Sequence, residues 1–171
     1  MMVEREFDPI RALATLNRHG VRYVLIGGFA GKLRGSTILT VDIDLCYARD
    51  LANLEAMSAA LQELHATLRG APEGLPVRLD AHALAAGDTF TLVTDAGDLD
   101  MLATPTGVAG FDELARNATE LDLDGVVARV AAIDDLIRMK RASARPRDLA
   151  HLEVLVALRD EIDAAEGGKR P

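Results

Sequence analysis

Residues 23 to 45, YVLIGGFAGKLRGSTILTVDIDL, constrain this chain more than any other stretch. Tyr23 to Ile26 reads as a buried apolar strand that stops at Gly27-Gly28, followed by a short helix or turn carrying Lys32 and Arg34, then a second strand holding Asp42 and Asp44. Successive side chains on a strand point to opposite faces. Asp42 and Asp44 therefore share one face, and Val41, Ile43 and Leu45 share the other, where an apolar trio can pack. Two carboxylates held so close repel and raise each other's pKa unless a cation sits between them. A divalent metal is the natural occupant: hard oxygen ligands suit Mg2+, which keeps several waters and is held by one or two carboxylates plus substrate phosphates, or Mn2+. Gly27 and Gly28 lack Cβ atoms, so their backbone N–H groups can approach a phosphate closely, and a following helix start favours negative charge.

Taken singly, Gly-Gly after a strand is often a tight turn and Asp-x-Asp a solvated strand face. Their order and spacing together resemble the signature of the nucleotidyltransferase superfamily related to polymerase beta. That pattern implies a third carboxylate on a later strand. Thr89 to Thr94 reads as a strand, Asp95-Ala96-Gly97 as a turn, and Asp98 to Leu102 as the returning strand, with Asp98 and Asp100 on one face. Asp100, flanked by Leu99 and Met101, matches the superfamily position, whereas Asp98 lies nearer the turn and reads equally as a turn residue.

The rest of the sequence supplies scaffold. Its 171 residues make one domain, or a core of residues 1–130 with a C-terminal helical segment, 131–171, packed on it. Residues are 49% hydrophobic but only 4% aromatic, so the core must be built from Leu, Val, Ile and Ala. A single cysteine, Cys46, rules out an internal disulfide framework and reads as a small residue near the site. The N-terminal residues lack the pattern of a signal peptide, and no apolar run approaches the ~18 residues of a membrane span, which predicts a soluble cytoplasmic protein.

Asp8-Pro9 opens a helix that His19-Gly20 closes, and Asp50 caps another whose Leu51, Leu54, Met57, Leu61 and Leu64 recur at helical spacing. Residues 69 to 88, with Gly70, Pro72, Gly74, Pro76 and Gly87, are the least regular part and read as a surface connection or a cleft rim. A short helix near Phe111 to Asn117 precedes a hairpin turning at Asp124-Gly125. The four histidines, 19, 65, 82 and 151, lack metal-ligand spacing.

The last third changes character. Ile133, Leu136, Ile137 and Lys140 fall on one face of a helix that begins at Ile133, so Lys140 projects from the inward side. Its ammonium either reaches a bound triphosphate or snorkels to water. Arg138, Arg141, Arg145 and Arg147 add a basic run with no acidic residue inside it, an anomaly in a chain of net charge −8 and a candidate footprint for nucleic acid phosphates. Pro146 starts a final helix expected to bury Leu149, Leu152, Leu155 and Val156, and the tail from Gly167 is expected to fray.

Gly27-Gly-Phe-Ala, Thr40-Val-Asp-Ile-Asp-Leu, Asp98-Leu-Asp100-Met-Leu and Asp134-Asp-Leu-Ile-Arg-Met-Lys140 with Arg145-Pro-Arg-Asp148, in that order, resemble the AbiEii-type branch of the superfamily, which includes the MenT-type toxins of bacterial toxin–antitoxin pairs. The resemblance implies an α/β minimal nucleotidyltransferase fold, a mixed sheet flanked by helices with a C-terminal helical segment. It implies an NTP substrate held by Gly27 and Gly28, metal on Asp42, Asp44 and Asp100, and a triphosphate contact from Lys140. It implies the 3′ end of a tRNA as acceptor, with a cognate antitoxin as a protein partner. Many relatives carry a His near position 34 and an Arg two residues before the Thr that leads into Asp-x-Asp. This chain has Arg34 and Ile38 there, so Lys32 or Arg34 would have to supply the missing charge. Asp148 matches a family block but also suits a helix cap. A small-molecule acceptor, as in antibiotic-modifying nucleotidyltransferases, a protein target, and a non-catalytic nucleotide-binding module remain open.

Overall fold

Local signals in the sequence set the element boundaries of the computed structural model, which describes residues 5–168. Asp8 accepts from the Arg11 N–H at 3.0 Å and caps α1 (Pro9–Arg18), with the proline in the first turn where its missing donor costs nothing. Asp50 caps α3 (Leu51–Glu63) in the same way, accepting from the Asn53 N–H at 3.1 Å. Between them run β1 (Tyr23–Ile26), α2 (Gly27–Leu33) and β2 (Asp42–Tyr47). A two-residue strand, β3 (Thr67–Leu68), precedes the irregular stretch, and Asp80 caps α4 (Ala81–Ala86) within it. Neither of these last two elements was legible in the sequence.

The second half follows as β4 (Thr89–Thr94), β5 (Gly97–Leu102), α5 (Phe111–Asn117), β6 (Thr119–Leu123), β7 (Val126–Val130), α6 (Ile133–Ser143) and α7 (Pro146–Gly167). Asp124 and Gly125, both at positive φ, form the two-residue turn of the β6–β7 hairpin. The strands make one mixed sheet in the order β3-β4-β5-β2-β1-β7-β6. β2 lies parallel to β5 and β1 parallel to β7, and the remaining pairs are antiparallel. All four β1 residues are buried, and Leu13, Leu16, Leu25, Ile43, Leu45, Met57 and Leu61 join one continuous apolar core. Leu136 and Ile137 of α6 and Leu155 of α7 belong to the same core, so the C-terminal helices are packed on the sheet.

Three apolar residues expected inside are not. Val41 is 75% exposed because β2 begins only at Asp42, so the strand alternation does not yet apply to it. Leu51 is 66% exposed in the first turn of α3, and Leu149 is 50% exposed near the start of α7. Helix periodicity weakens at helix ends, where the neighbouring element no longer covers the stripe. Helix α7 runs through Gly167, and the rest of the tail expected to fray, residues 169–171, lies outside the described residues. No described helix is long and apolar enough to cross a membrane.

Leu25 is fully buried at the centre of the sheet. Leu25→Ala is expected to lower the unfolding free energy by about 2–5 kcal/mol, the range for a cavity left in a packed core. Leu51→Ala is expected to stay within about 0.5 kcal/mol of the parent. Urea unfolding of the two variants checks both values.

Candidate active site

β1 delivers the chain to the site at Gly27, where φ is +70° and the backbone turns into α2. Ile26 pairs with Asp44 across the antiparallel β1–β2 ladder, which sets Gly27 against the Asp44 side chain. A Cβ at Gly27 would stand 2.4 Å from Asp44 Oδ2, so the position is closed to any other residue by both its φ and its neighbour. At Gly28 a Cβ would meet Thr40 Oγ1 at 3.2 Å. Thr40 is occupied in turn: its hydroxyl donates to Asp42 Oδ1 at 3.1 Å.

The carboxylates come from two parallel neighbours. Asp42 is in register with Asp98, and Asp44 with Asp100, so the acidic face is a two-by-two block on β2 and β5. Carboxylate oxygens of Asp42, Asp44 and Asp100 all lie within 4.8 Å of one another. Asp98 is the second residue of β5 and not part of the turn, but it stands outside this trio, bridged to Arg69 (Nε to Oδ2, 3.3 Å). The structure thus groups Asp100, and not Asp98, with Asp42 and Asp44. An all-oxygen set of this size fits a hard divalent cation.

The electrostatics say the same. Asp44 is pushed up to about 7, by burial first and then by the negative charges of Asp42 and Asp100, with Lys140 and Arg69 offsetting part of the rise. Asp100 is raised by burial, against the lowering charge and hydrogen bond of Arg69. Buried carboxylates crowded together in this way are a condition that a bound metal relieves.

Lys140 lines the same cleft. Its Nζ lies 3.0 Å from Asp148 Oδ1, and Asp148, only 1% exposed, also accepts from Ser143 Oγ at 2.8 Å and Arg145 Nε at 2.9 Å. Burial alone would raise the Asp148 carboxyl, but these three donors hold it well below the usual carboxylate range. Asp148 is therefore the anchor that aims Lys140, and not the helix cap its position suggested; the residue at the helix start is Arg145. Gly27, Gly28, Thr40, Asp42, Asp44, Asp100, Lys140, Asp148 and His151 all line one cleft of about 530 Å³.

Other expected site residues are placed elsewhere. Lys32 is exposed on α2 and does not line the cleft. Arg34 points to the end of β7, donating to the carbonyls of Val130 (2.8 Å) and Ala131 (3.0 Å), so it clamps the sheet. The basic run is not an unopposed stripe. Ala144, in the left-handed region at φ 48°, breaks the helix between Arg141 and Arg145. Arg138 is paired with Glu113 and Asp135, and Arg145 with Asp148. Arg141 is exposed on α6, outside the cleft, while Arg145 and Arg147 line it. Cys46 shares the parity of the aspartates but is fully buried, its Sγ 3.5 Å from the Ala103 carbonyl and its thiol pushed up to about 12 by burial.

Sequence reasoning missed Arg69 altogether, because a two-residue strand followed by glycines and prolines carries no periodic signal. It also missed Leu39, 90% exposed on the cleft rim beside Val41.

No family profile and no curated protein matches the chain. Solved structures do. The lincosamide antibiotic adenylyltransferase LnuA, lincomycin-bound, superposes with a TM-score of 0.56 at 14% identity over 92% of this chain and 98% of that one. The antibiotic-resistance factor ANT(2")-Ia, in complex with adenylyl-2"-tobramycin, gives 0.55 at 17% identity over 91% and 87%. A nucleotidyltransferase homologue from Thermotoga maritima gives 0.50 at 14% identity over 90% and 89%. The chain has the nucleotidyltransferase fold. At these identities the likeness is one of architecture, and the site stands on its own geometry.

In the metal-free protein, the cost of burying the Asp44 charge is in full force above pH 7 and is relieved as pH falls from about 7 toward 4, where the unfolded carboxyl titrates. Metal-free protein is therefore expected to gain several degrees in Tm, relative to Asp44→Asn, between pH 8 and pH 6, about 2–4 °C per kcal/mol for a chain of this size. Added Mg2+ is expected to raise the parent's Tm more at pH 8 than at pH 6, since metal and proton compete, and to leave Asp44→Asn nearly unchanged. Differential scanning calorimetry reads all three.

Proposed function

We infer that the protein is a nucleotidyltransferase that moves a nucleoside monophosphate from an NTP to an acceptor hydroxyl, releasing pyrophosphate. The observation that carries this reading is the shared cleft, in which Asp42, Asp44 and Asp100 face the Gly27-Gly28 backbone on one side and the anchored Lys140 on another. Asp42, Asp44 and Asp100 would hold Mg2+ or Mn2+, which when bound supplies charge neutralisation for the phosphates and a lowered pKa for the attacking hydroxyl. The protein's own groups do the rest. Gly27 and Gly28 leave room for phosphate oxygens at the backbone, and Lys140, aimed by Asp148, steadies the triphosphate. The acceptor oxygen forms a bond to the α-phosphorus as the bond to the bridging oxygen of pyrophosphate breaks, and the hydroxyl proton is released toward the carboxylates.

For the acceptor, the sequence resemblance favours the 3′ end of a tRNA, with a toxin role and an antitoxin partner. Arg147 at the cleft, with exposed Arg141 nearby in sequence, is what remains to meet an RNA backbone once Arg138 is spent on Glu113 and Asp135 and Arg145 on Asp148. One observation favours a small molecule instead: chains of the same architecture, over nearly their whole length, are adenylyltransferases of a lincosamide and of tobramycin.

Purified protein incubated with Mg2+ and each α-labelled NTP in turn, with total bacterial tRNA or a panel of aminoglycosides and lincosamides, separates these readings. Label is expected on one acceptor class and to fall by at least ~10³-fold in Asp44→Asn, with the variant's circular dichroism unchanged. No label on any acceptor, with pyrophosphate release also absent, would overturn the reading and leave a nucleotide-binding module.

A further inference from the structure

Arg69 is the residue at this site that the proposed chemistry does not use. Its backbone N–H donates to the Thr91 carbonyl at 2.9 Å, adding one residue to the β3–β4 pairing and fixing the Cα at the strand end. From there the side chain crosses β4, Nη2 reaching the Leu92 carbonyl at 3.2 Å, and ends on β5 with Nη2 2.8 Å from Asp100 Oδ1 and Nε 3.3 Å from Asp98 Oδ2. Three acceptors on two strands hold the guanidinium in one place. A guanidinium forked across two carboxylates is planar and geometrically fixed, unlike a lysine.

The register explains why such a cation matters. Asp42 beside Asp98 and Asp44 beside Asp100 make a block of four carboxylates, of which Asp42, Asp44 and Asp100 bring oxygens within 4.8 Å of one another while the Asp98–Asp100 place is bridged by Arg69. We propose that Arg69 is a positioning residue that acts as a fixed cation, occupying the Asp98–Asp100 place so that a divalent ion is directed to Asp42, Asp44 and Asp100. It takes Asp100 Oδ1 in a hydrogen bond of 2.8 Å. This rests on the nucleotidyl-transfer reading for its purpose, but the binding it describes is a property of the nucleotide-free chain.

The test is Mn2+ binding to the full, nucleotide-free chain, followed by the electron paramagnetic resonance signal of free Mn2+, in wild type, Arg69→Gln, Arg69→Lys and Asp98→Asn, with far-UV circular dichroism as the folding control. Arg69→Gln is expected to bind Mn2+ at least ~5-fold more tightly or to take up an additional ion, because a fixed positive charge has left the acidic face. Arg69→Lys, which keeps the charge, is expected to stay within ~2-fold of wild type. Asp98→Asn is expected to bind several-fold more weakly, since Arg69 then bears on Asp100 alone. The opposite signs of the Gln and Asn variants are what a merely structural role would not produce. In turnover, Arg69→Gln is expected to lower kcat with KM for the NTP little changed. An Arg69→Gln isotherm equal to or weaker than wild type overturns the proposal. If Arg69→Gln does not fold, Asp98→Asn binding as tightly as wild type or tighter overturns it. A wild type blind to Mn2+ beside an Arg69→Gln that binds it supports the fixed cation and counts against the transfer reading, and both proteins blind overturn both.

Discussion

Mutual repulsion among Asp42, Asp44 and Asp100 is the constraint that the surrounding structure is built to hold. Three carboxylate oxygens within 4.8 Å, partly out of water, would push the strands apart or take up protons unless the scaffold resisted. The scaffold resists through the sheet. β2 is hydrogen-bonded on both sides, antiparallel to β1 and parallel to β5, and its opposite face is sealed by fully buried Ile43 and Leu45. Burial of those apolar side chains, about 1.5–3 kcal/mol each, is what offsets the cost of keeping charge at the other face. Gly27 then brings backbone against Asp44 more closely than any side chain would allow, so the same short stretch supplies both the acid and the space for its substrate.

The Lys140 side of the cleft depends on a second buried charge. Asp148 would be costly alone, and it is tolerated because Lys140, Ser143 and Arg145 satisfy it together. That arrangement ties α6 to α7 at the break formed by Ala144, and both helices contribute to the main core through Leu136, Ile137 and Leu155. Lys140 is therefore held by a charged anchor behind it and a packed helix beneath it, which keeps its ammonium at the cleft and not free in solvent. Arg69 does the corresponding work on the acidic side, where β5 meets β4. Lys140 and Arg69 both offset part of the rise that burial and the neighbouring carboxylates impose on Asp44.

Much of this was legible in the sequence because the decisive signals are local. Apolar residues at period two around Asp42 and Asp44 located β2, the Asp8-Pro9 and Asp50 caps located two helix starts, and Asp124-Gly125 located the hairpin. What was not legible depends on partners distant in sequence. Nothing near Arg138 announces Glu113, and nothing near Arg34 announces the carbonyls of Val130 and Ala131, so both arginines looked free for phosphate. Arg69 lay hidden because β3 is too short to show a period, and its two carboxylates are about thirty residues away. Val41 failed by one position: alternation extrapolated past the end of a strand says nothing about burial.

Nucleotidyl transfer at this cleft requires the trio to be a cation site. Anomalous diffraction from a crystal of the nucleotide-free protein soaked in Mn2+ tests it most directly. A peak is expected at coordination distance, about 2.0–2.3 Å, from oxygens of Asp42, Asp44 and Asp100. A crystal with no peak there, or with Mn2+ bound only at other acidic residues, would contradict it.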